Sequence, residues 1–213
     1  MITIWAEGTS IESGYGLSEP FPWVQCCLYP GGYSVVNKAV ASSTIADCEA
    51  NTSGSTNSIT HRVTAAGGLV DTLGPTLGAN AVIMIGSGNT NGAYFGVSAA
   101  DDWANMVALA AIIVDACPLA KLVMTESIPR DNWSGSPFWT GSAAPFNTAL
   151  SDFTALARAG WRTAGFTRAP VNLNASGRFN ATAGALFQDA CHPSVSGHVL
   201  LGAEWFLSGA WRA

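Results

Sequence analysis

Charge is scarce in this chain. Asp, Glu, Lys and Arg make up 11% of 213 residues, against about a quarter in an ordinary globular protein. Only Lys38 and Lys121 are lysines among nine basic residues, no basic run occurs, and the net charge is -5. A phosphate-backbone partner is excluded on that ground, so no nucleic acid is expected. The longest uninterrupted apolar run, residues 106–114, is nine residues long, about half of what a bilayer-crossing helix requires, so no membrane span is expected. Met1-Ile-Thr-Ile-Trp-Ala has no basic region, long apolar stretch or cleavage site, so no signal peptide is expected. Five cysteines (Cys26, Cys27, Cys48, Cys117, Cys191) include no Cys-x-x-Cys pair and no zinc spacing. Their odd number leaves at least one thiol free, and any pairing stays open. Gly-x-x-x-x-Gly-Lys, His-Glu-x-x-His and Gly-x-Ser-x-Gly are all absent, which removes P-loop, zinc-protease and standard α/β-hydrolase readings. Gly86-Ser87-Gly88 lacks the third glycine of a dinucleotide fingerprint. Neither cofactor nor metal is expected.

Apolar residues reach 48%, so the chain can bury a sizeable core beneath a surface of Ser, Thr, Asn and Gly. Its length suits one domain, residues 1–213. Scarce lysine and that surface lean toward an extracytoplasmic setting. The oligomeric state stays open.

Short apolar runs at residues 3–6, 33–36, 81–85, 122–125 and about 162–166 read as strands. Helical patterns lie between them. Residues 22–28 are a candidate first helix. Ile59, Val63, Ala66, Val70 and Leu73 form one stripe, ended by Gly74-Pro75. A third helix is capped by Ser98 with Asp101 three residues on, and stops at Cys117-Pro118. A fourth opens near Asn147, buries Leu150, Phe153 and Leu156, and closes at Gly160; the last runs from Pro193 to about Phe206. This alternation predicts an α/β fold: a mostly parallel five-stranded sheet with helices on both faces, a flavodoxin-like three-layer α/β/α sandwich. His61 is expected at the surface and His198 in packing.

Three segments carry complementary polar groups at predicted strand ends or the last helix start, where open α/β sheets form their ligand crevice. Glu7-Gly8-Thr9-Ser10 follows the first strand, and Gly8 allows a tight turn that presents Ser10. In Asp189-Ala-Cys-His192-Pro193, the spacing of three lets the carboxylate accept the imidazole Nδ1–H, which leaves Nε2 as a base. Pro193 suits the first position of the following helix, and His192 would then lie at its positive end. Gly86-Ser87-Gly88-Asn89 presents an amide with two uncharged donors, suited to a developing oxyanion.

Together these segments resemble the blocks of the GDSL-type, or SGNH, hydrolase superfamily. Gly8-Thr9-Ser10 is similar to its Gly-Asp-Ser block; Asn37, with Ser42 five residues on, to its second; Ser87-Gly88-Asn89-Thr90 to Gly-x-Asn-Asp; and Asp189 through Pro193 to Asp-x-x-His-Pro. The resemblance implies Ser10 as nucleophile, His192 as general base and Asp189 as its orienting acid. It also implies an oxyanion hole made of the Ser10 and Ser42 N–H groups and the Asn89 side chain. Thr9 stands where the family has Asp, Ser42 where it has Gly, and Ser87 and Thr90 replace the outer residues of the third block. Ser42 must therefore adopt glycine-like dihedrals to keep its donor, and two supporting carboxylates are missing.

The implied activity is a metal-free serine esterase acting on a small-molecule or polysaccharide ester. The irregular stretch at residues 129–145 interleaves Trp133, Phe138 and Trp139 with Asp, Asn, Ser, Gly and Thr and has almost no aliphatic side chain. That composition suits a sugar stacked on an indole beside a small acyl pocket, hence acetyl-type esters. A sugar O-acyltransferase with the same site and a catalytically inactive carbohydrate-binding or structural module are the alternatives.

Overall fold

A computed structural model describes residues 2–14, 17, 33–48, 58–72, 81–86, 89–130, 144–180, 184–189 and 191–212. Its strands are β1 (Ile2–Glu7), β2 (Tyr33–Asn37), β3 (Ala81–Ile85) and β4 (Lys121–Met124). They form one parallel sheet in the order β2-β1-β3-β4. The helices are α1 (Ser10–Ser13), α2 (Ile59–Thr64), α3 (Leu69–Thr72), α4 (Asn89–Tyr94), α5 (Ala99–Ala116), α6 (Ala144–Gly160) and α7 (Val195–Ser208). Among the described residues no helix is long and apolar enough to cross a membrane.

Strand alternation sends successive side chains to opposite faces, and both faces are covered. Trp5, Ile83, Ile85, Leu122 and Met124 pack with residues of α2, α5 and α6, including Val63, Leu109, Ile113 and Phe153. Ile4, Ala6, Val82, Met84 and Val123 pack with Ile11 of α1, Leu201 and Trp205 of α7, and Phe179 and Phe187. The central strand β3, buried at every position, accordingly reads as an unbroken apolar run.

The sheet has four strands among the described residues, not five. Residues 162–166 are wound onto the end of α6: Ala164 N–H donates to Gly160 O and Phe166 N–H to Trp161 O, with Gly165 at φ 90°. Glycine takes that left-handed conformation without a Cβ clash, so the chain turns here instead of extending. Beyond it, Thr167 N–H reaches Leu122 O and Val171 pairs with Thr125 in a single parallel bridge.

Other boundaries also differ. The stripe expected from Ile59 to Leu73 splits into α2 and α3 at Gly67 and Gly68, and Leu73 lies outside the described residues, as does the segment 22–28. Leu156 is exposed, and Ala157 faces the core in its place. Ser98 caps α5 as expected, accepting from the Asp101 N–H. The last helix is capped by Ser194, which puts Pro193 before the cap. His192 is therefore not at the helix end itself.

Candidate active site

The chain leaves β1 for β2 on one side and returns to β3 on the other, so the carboxyl ends of β1 and β3 flank the switch point where α/β sheets bind ligands. Ser10 follows β1 and Asn89 follows β3, each opening a short helix. Thr9 caps α1 with its side chain, and Glu12 completes a capping box by accepting from the Thr9 N–H (2.9 Å) and hydroxyl (3.2 Å). As the first residue of α1, Ser10 has an N–H with no acceptor inside the helix. The fully buried Glu12 side chain lies against Gly8 and Gly86, where a Cβ would come within 2.6 Å and 2.4 Å of it. Only glycine leaves that room.

His192 Nε2 lies 3.0 Å from Ser10 Oγ, and its Nδ1 lies 2.8 Å from Asp189 Oδ2. Asp189 Oδ1 also accepts from the N–H groups of Cys191 (2.8 Å) and His192 (2.6 Å), so the turn holds its own carboxylate in place. Burial works to raise the Asp189 pKa, but the His192 ring, its charge and these two N–H donors hold it below the ordinary value. The carboxylate is ionised at neutral pH and fixes the Nδ1–H tautomer. Ser10 and His192 are 6% and 8% exposed. The Cys191 thiol is pushed up by burial, with the Arg130 guanidinium pulling the other way. It is a poor nucleophile in that state.

Ser42 has φ 64°, alone among described non-glycine residues in the left-handed region. It takes the conformation that the serine-for-glycine exchange demands. Arg62 of α2 ties this turn to β1. Its Nη1 donates to Ser43 Oγ (2.6 Å), and its Nη2 to Glu7 Oε2 (3.0 Å) and Gly8 O (3.2 Å). Burial raises the Glu7 pKa, against the pull of Arg62, Trp5 and Lys38. On the β3 side, Ser127 Oγ donates to Asn89 Oδ1 (2.6 Å), which leaves the Asn89 amino group as the outward end.

The structure thus brings Ser10, His192 and Asp189 together. Asn89 opens α4 beyond the end of β3, and Ser42 lies in the turn beyond β2, next to Ser43, which Arg62 ties to Gly8. Trp133, Phe138 and Trp139, with Ser87 and Gly88, lie outside the described residues. His61 is exposed, and His198 is buried in α7, its pKa lowered to about 4 by burial and by the His192 charge. Sequence reasoning missed four supports: Glu12, Arg62, Ser127 and Arg130. Thr9-x-x-Glu12 is a capping-box signature and was legible; the others are distant in sequence and carry no local signal.

No family model and no curated relative matches the chain. Solved structures do. A carbohydrate acetylesterase from Sinorhizobium meliloti is similar over 100% of both chains at 13% identity, with a TM-score of 0.74. A psychrotrophic esterase from Pseudoalteromonas sp., inhibited by monoethylphosphonate, is similar over 98% of this chain and 96% of its own at 16% identity and TM-score 0.65. A protein from Slackia heliotrinireducens described as a proposed SGNH hydrolase is similar over 97% of each chain, at 15% identity and TM-score 0.67. Likeness at this identity is a statement about architecture, and the architecture of this chain is the SGNH-hydrolase fold.

Proposed function

We propose that the protein is a serine ester hydrolase that works through an acyl-enzyme on Ser10. The observation that carries this reading is the continuous line from the Asp189 carboxylate through the His192 ring to Ser10 Oγ. Ser10 Oγ attacks the ester carbonyl while His192 Nε2 takes its proton. The same proton then goes to the departing alcohol. Water, deprotonated by His192, attacks the acyl carbon and frees Ser10. Ionised Asp189 balances the imidazolium formed in each step. The charge developing on the carbonyl oxygen is met by the N–H groups of Ser10 and Ser42 and the side-chain amino group of Asn89.

The substrate class we infer is short acyl groups, acetyl above all, carried on a carbohydrate. The interleaved aromatic and polar residues at 129–145 favour it, and so does the likeness to a carbohydrate acetylesterase.

A fluorophosphonate probe tests the chemistry, since a phosphonate inhibits the Pseudoalteromonas esterase. Labelling is expected on Ser10 and is expected to vanish in Ser10→Ala. Ser10→Ala and His192→Ala should each lower ester turnover by about 10⁴-fold or more with the fold intact. Activity that survives either change would overturn the assignment.

A further inference from the structure

Asn89 can help an oxyanion in only one of its two amide orientations. Turned by half a rotation about its last bond, it would present Oδ1, a lone pair facing a negative charge. What decides the orientation is a chain of four side chains. Arg130, fully buried, donates from Nη2 to Thr90 Oγ1 at 3.0 Å. Thr90 Oγ1 lies 3.3 Å from Ser127 Oγ, and Ser127 Oγ lies 2.6 Å from Asn89 Oδ1.

A guanidinium has donors and no acceptor, so Thr90 must accept from it. The Thr90 hydroxyl hydrogen is then available to Ser127, whose own hydrogen goes to Asn89 Oδ1. Every bond in the chain points the same way, and the amide is left with Nδ2–H outward. We propose that Arg130, Thr90 and Ser127 are positioning residues that fix the donor orientation of Asn89 and polarise its amide, with the buried cation as the origin of that polarity. Hydrogen bonds linked head to tail strengthen one another where water is excluded. Arg130 is itself anchored, because its backbone N–H and C=O are both bonded to the Asn147 side chain, at 2.8 Å and 3.1 Å. Thr90 occupies the place of the carboxylate missing from the third block. A carboxylate there would accept from Arg130 but, with no hydrogen of its own, could not pass a donor on to Ser127.

This inference rests on Asn89 being an oxyanion donor, and the test separates the two. Turnover of p-nitrophenyl acetate is measured for Ser127→Ala, Thr90→Val, Asn89→Ala and the double variant Ser127→Ala/Asn89→Ala, with Tm as a check of folding. Ser127→Ala should lower kcat by roughly ten- to a hundredfold, less than direct removal of the donor, with KM within about twofold. Thr90→Val should lower kcat in the same direction, and Ser127→Thr, which keeps the hydroxyl, should restore most of it. In the Asn89→Ala background the Ser127 change should cost less than about twofold, because its effect passes through an amide no longer present. If Asn89→Ala lowers kcat but the Ser127 loss is absent, or persists undiminished in that background, the positioning role is overturned and the oxyanion reading stands. If Asn89→Ala leaves kcat unchanged, both fall. Should Ser127→Ala fail to fold, Thr90→Val decides by the same cycle.

Discussion

Ser42 sets the finest constraint on the site. An L side chain at φ 64° costs on the order of 1 kcal/mol, because Cβ crowds the following carbonyl. Glycine removes that crowding but gives the unfolded chain more freedom, a compensation of about 0.4–1 kcal/mol. The two nearly cancel. Ser42→Gly should therefore change stability by less than about 1 kcal/mol and leave kcat/KM within about threefold, since the N–H is kept. A thermal melt and ester kinetics on the same sample check this. A loss of more than tenfold in kcat/KM would mean that the Ser42 hydroxyl, not its N–H, matters.

At the scale of elements, Arg62 joins α2 to the end of β1 and to the turn that holds Ser42 and Ser43. Removing the guanidinium leaves Glu7 buried and opposed by less positive charge. Arg62→Met should cost about 3 kcal/mol at pH 8 and lower kcat, because a buried charge loses its partner. The loss should shrink at acid pH. Glu7 already has a raised pKa, and without Arg62 it would rise further. A carboxyl with a raised folded-state pKa penalises the native state only once the unfolded chain has begun to ionise, so the penalty grows as pH rises. Melts at pH 5 and pH 8 measure the difference.

Asp102, in the first turn of α5, follows the same sign. Its side chain fills the space that a Cβ on Gly92 of α4 would need. Burial, with Asp101 adding repulsion, lifts its pKa from 3.8 to about 7. Stability is lost as pH rises through that window, while the unfolded chain ionises and the folded one holds its proton. Asp102→Asn cannot ionise, so its advantage over the parent should be near zero at pH 4 and reach on the order of 3 kcal/mol at pH 8. An advantage that does not grow with pH would show that Asp102 is already ionised in the fold.

For the whole molecule, the question is which ester reaches Ser10. Activity against p-nitrophenyl esters should fall as the acyl chain lengthens from acetate to octanoate, because residues 129–145 offer almost no aliphatic surface for a long chain. Trp133→Ala and Trp139→Ala should reduce turnover of an acetylated sugar about tenfold while sparing p-nitrophenyl acetate, as loss of an indole stacking surface would. Faster cleavage of octanoate, or sugar-ester turnover untouched by both changes, would refute the preference.

Several features were readable from the sequence because they are local. β3 is a fully buried apolar run and β1, β2 and β4 each carry a shorter one beside polar residues, so the strands were legible from short apolar runs between turn signals, and Ser98 announced the start of α5. Asp189 and His192 are three residues apart, close enough for their hydrogen bond to be read from spacing. The fifth strand failed because the apolar pattern at 162–166 also fits the end of a helix, and the left-handed Gly165 decides between them. Pairing across the sheet was beyond the sequence. Ser10 and His192 are 182 positions apart, Arg62 and Glu7 are 55, and Arg130 and Thr90 are 40. Such contacts follow from the order β2-β1-β3-β4, which carries the ends of β1 and β3 side by side. The family resemblance, carried by local motifs, singled out Ser10, Asp189 and His192, and the Thr9-x-x-Glu12 signature is local as well; only the packed sheet could bring Ser10 and His192 within hydrogen-bond reach and add Arg62, Ser127 and Arg130 around them, because those contacts join residues tens of positions apart, which local sequence patterns do not encode.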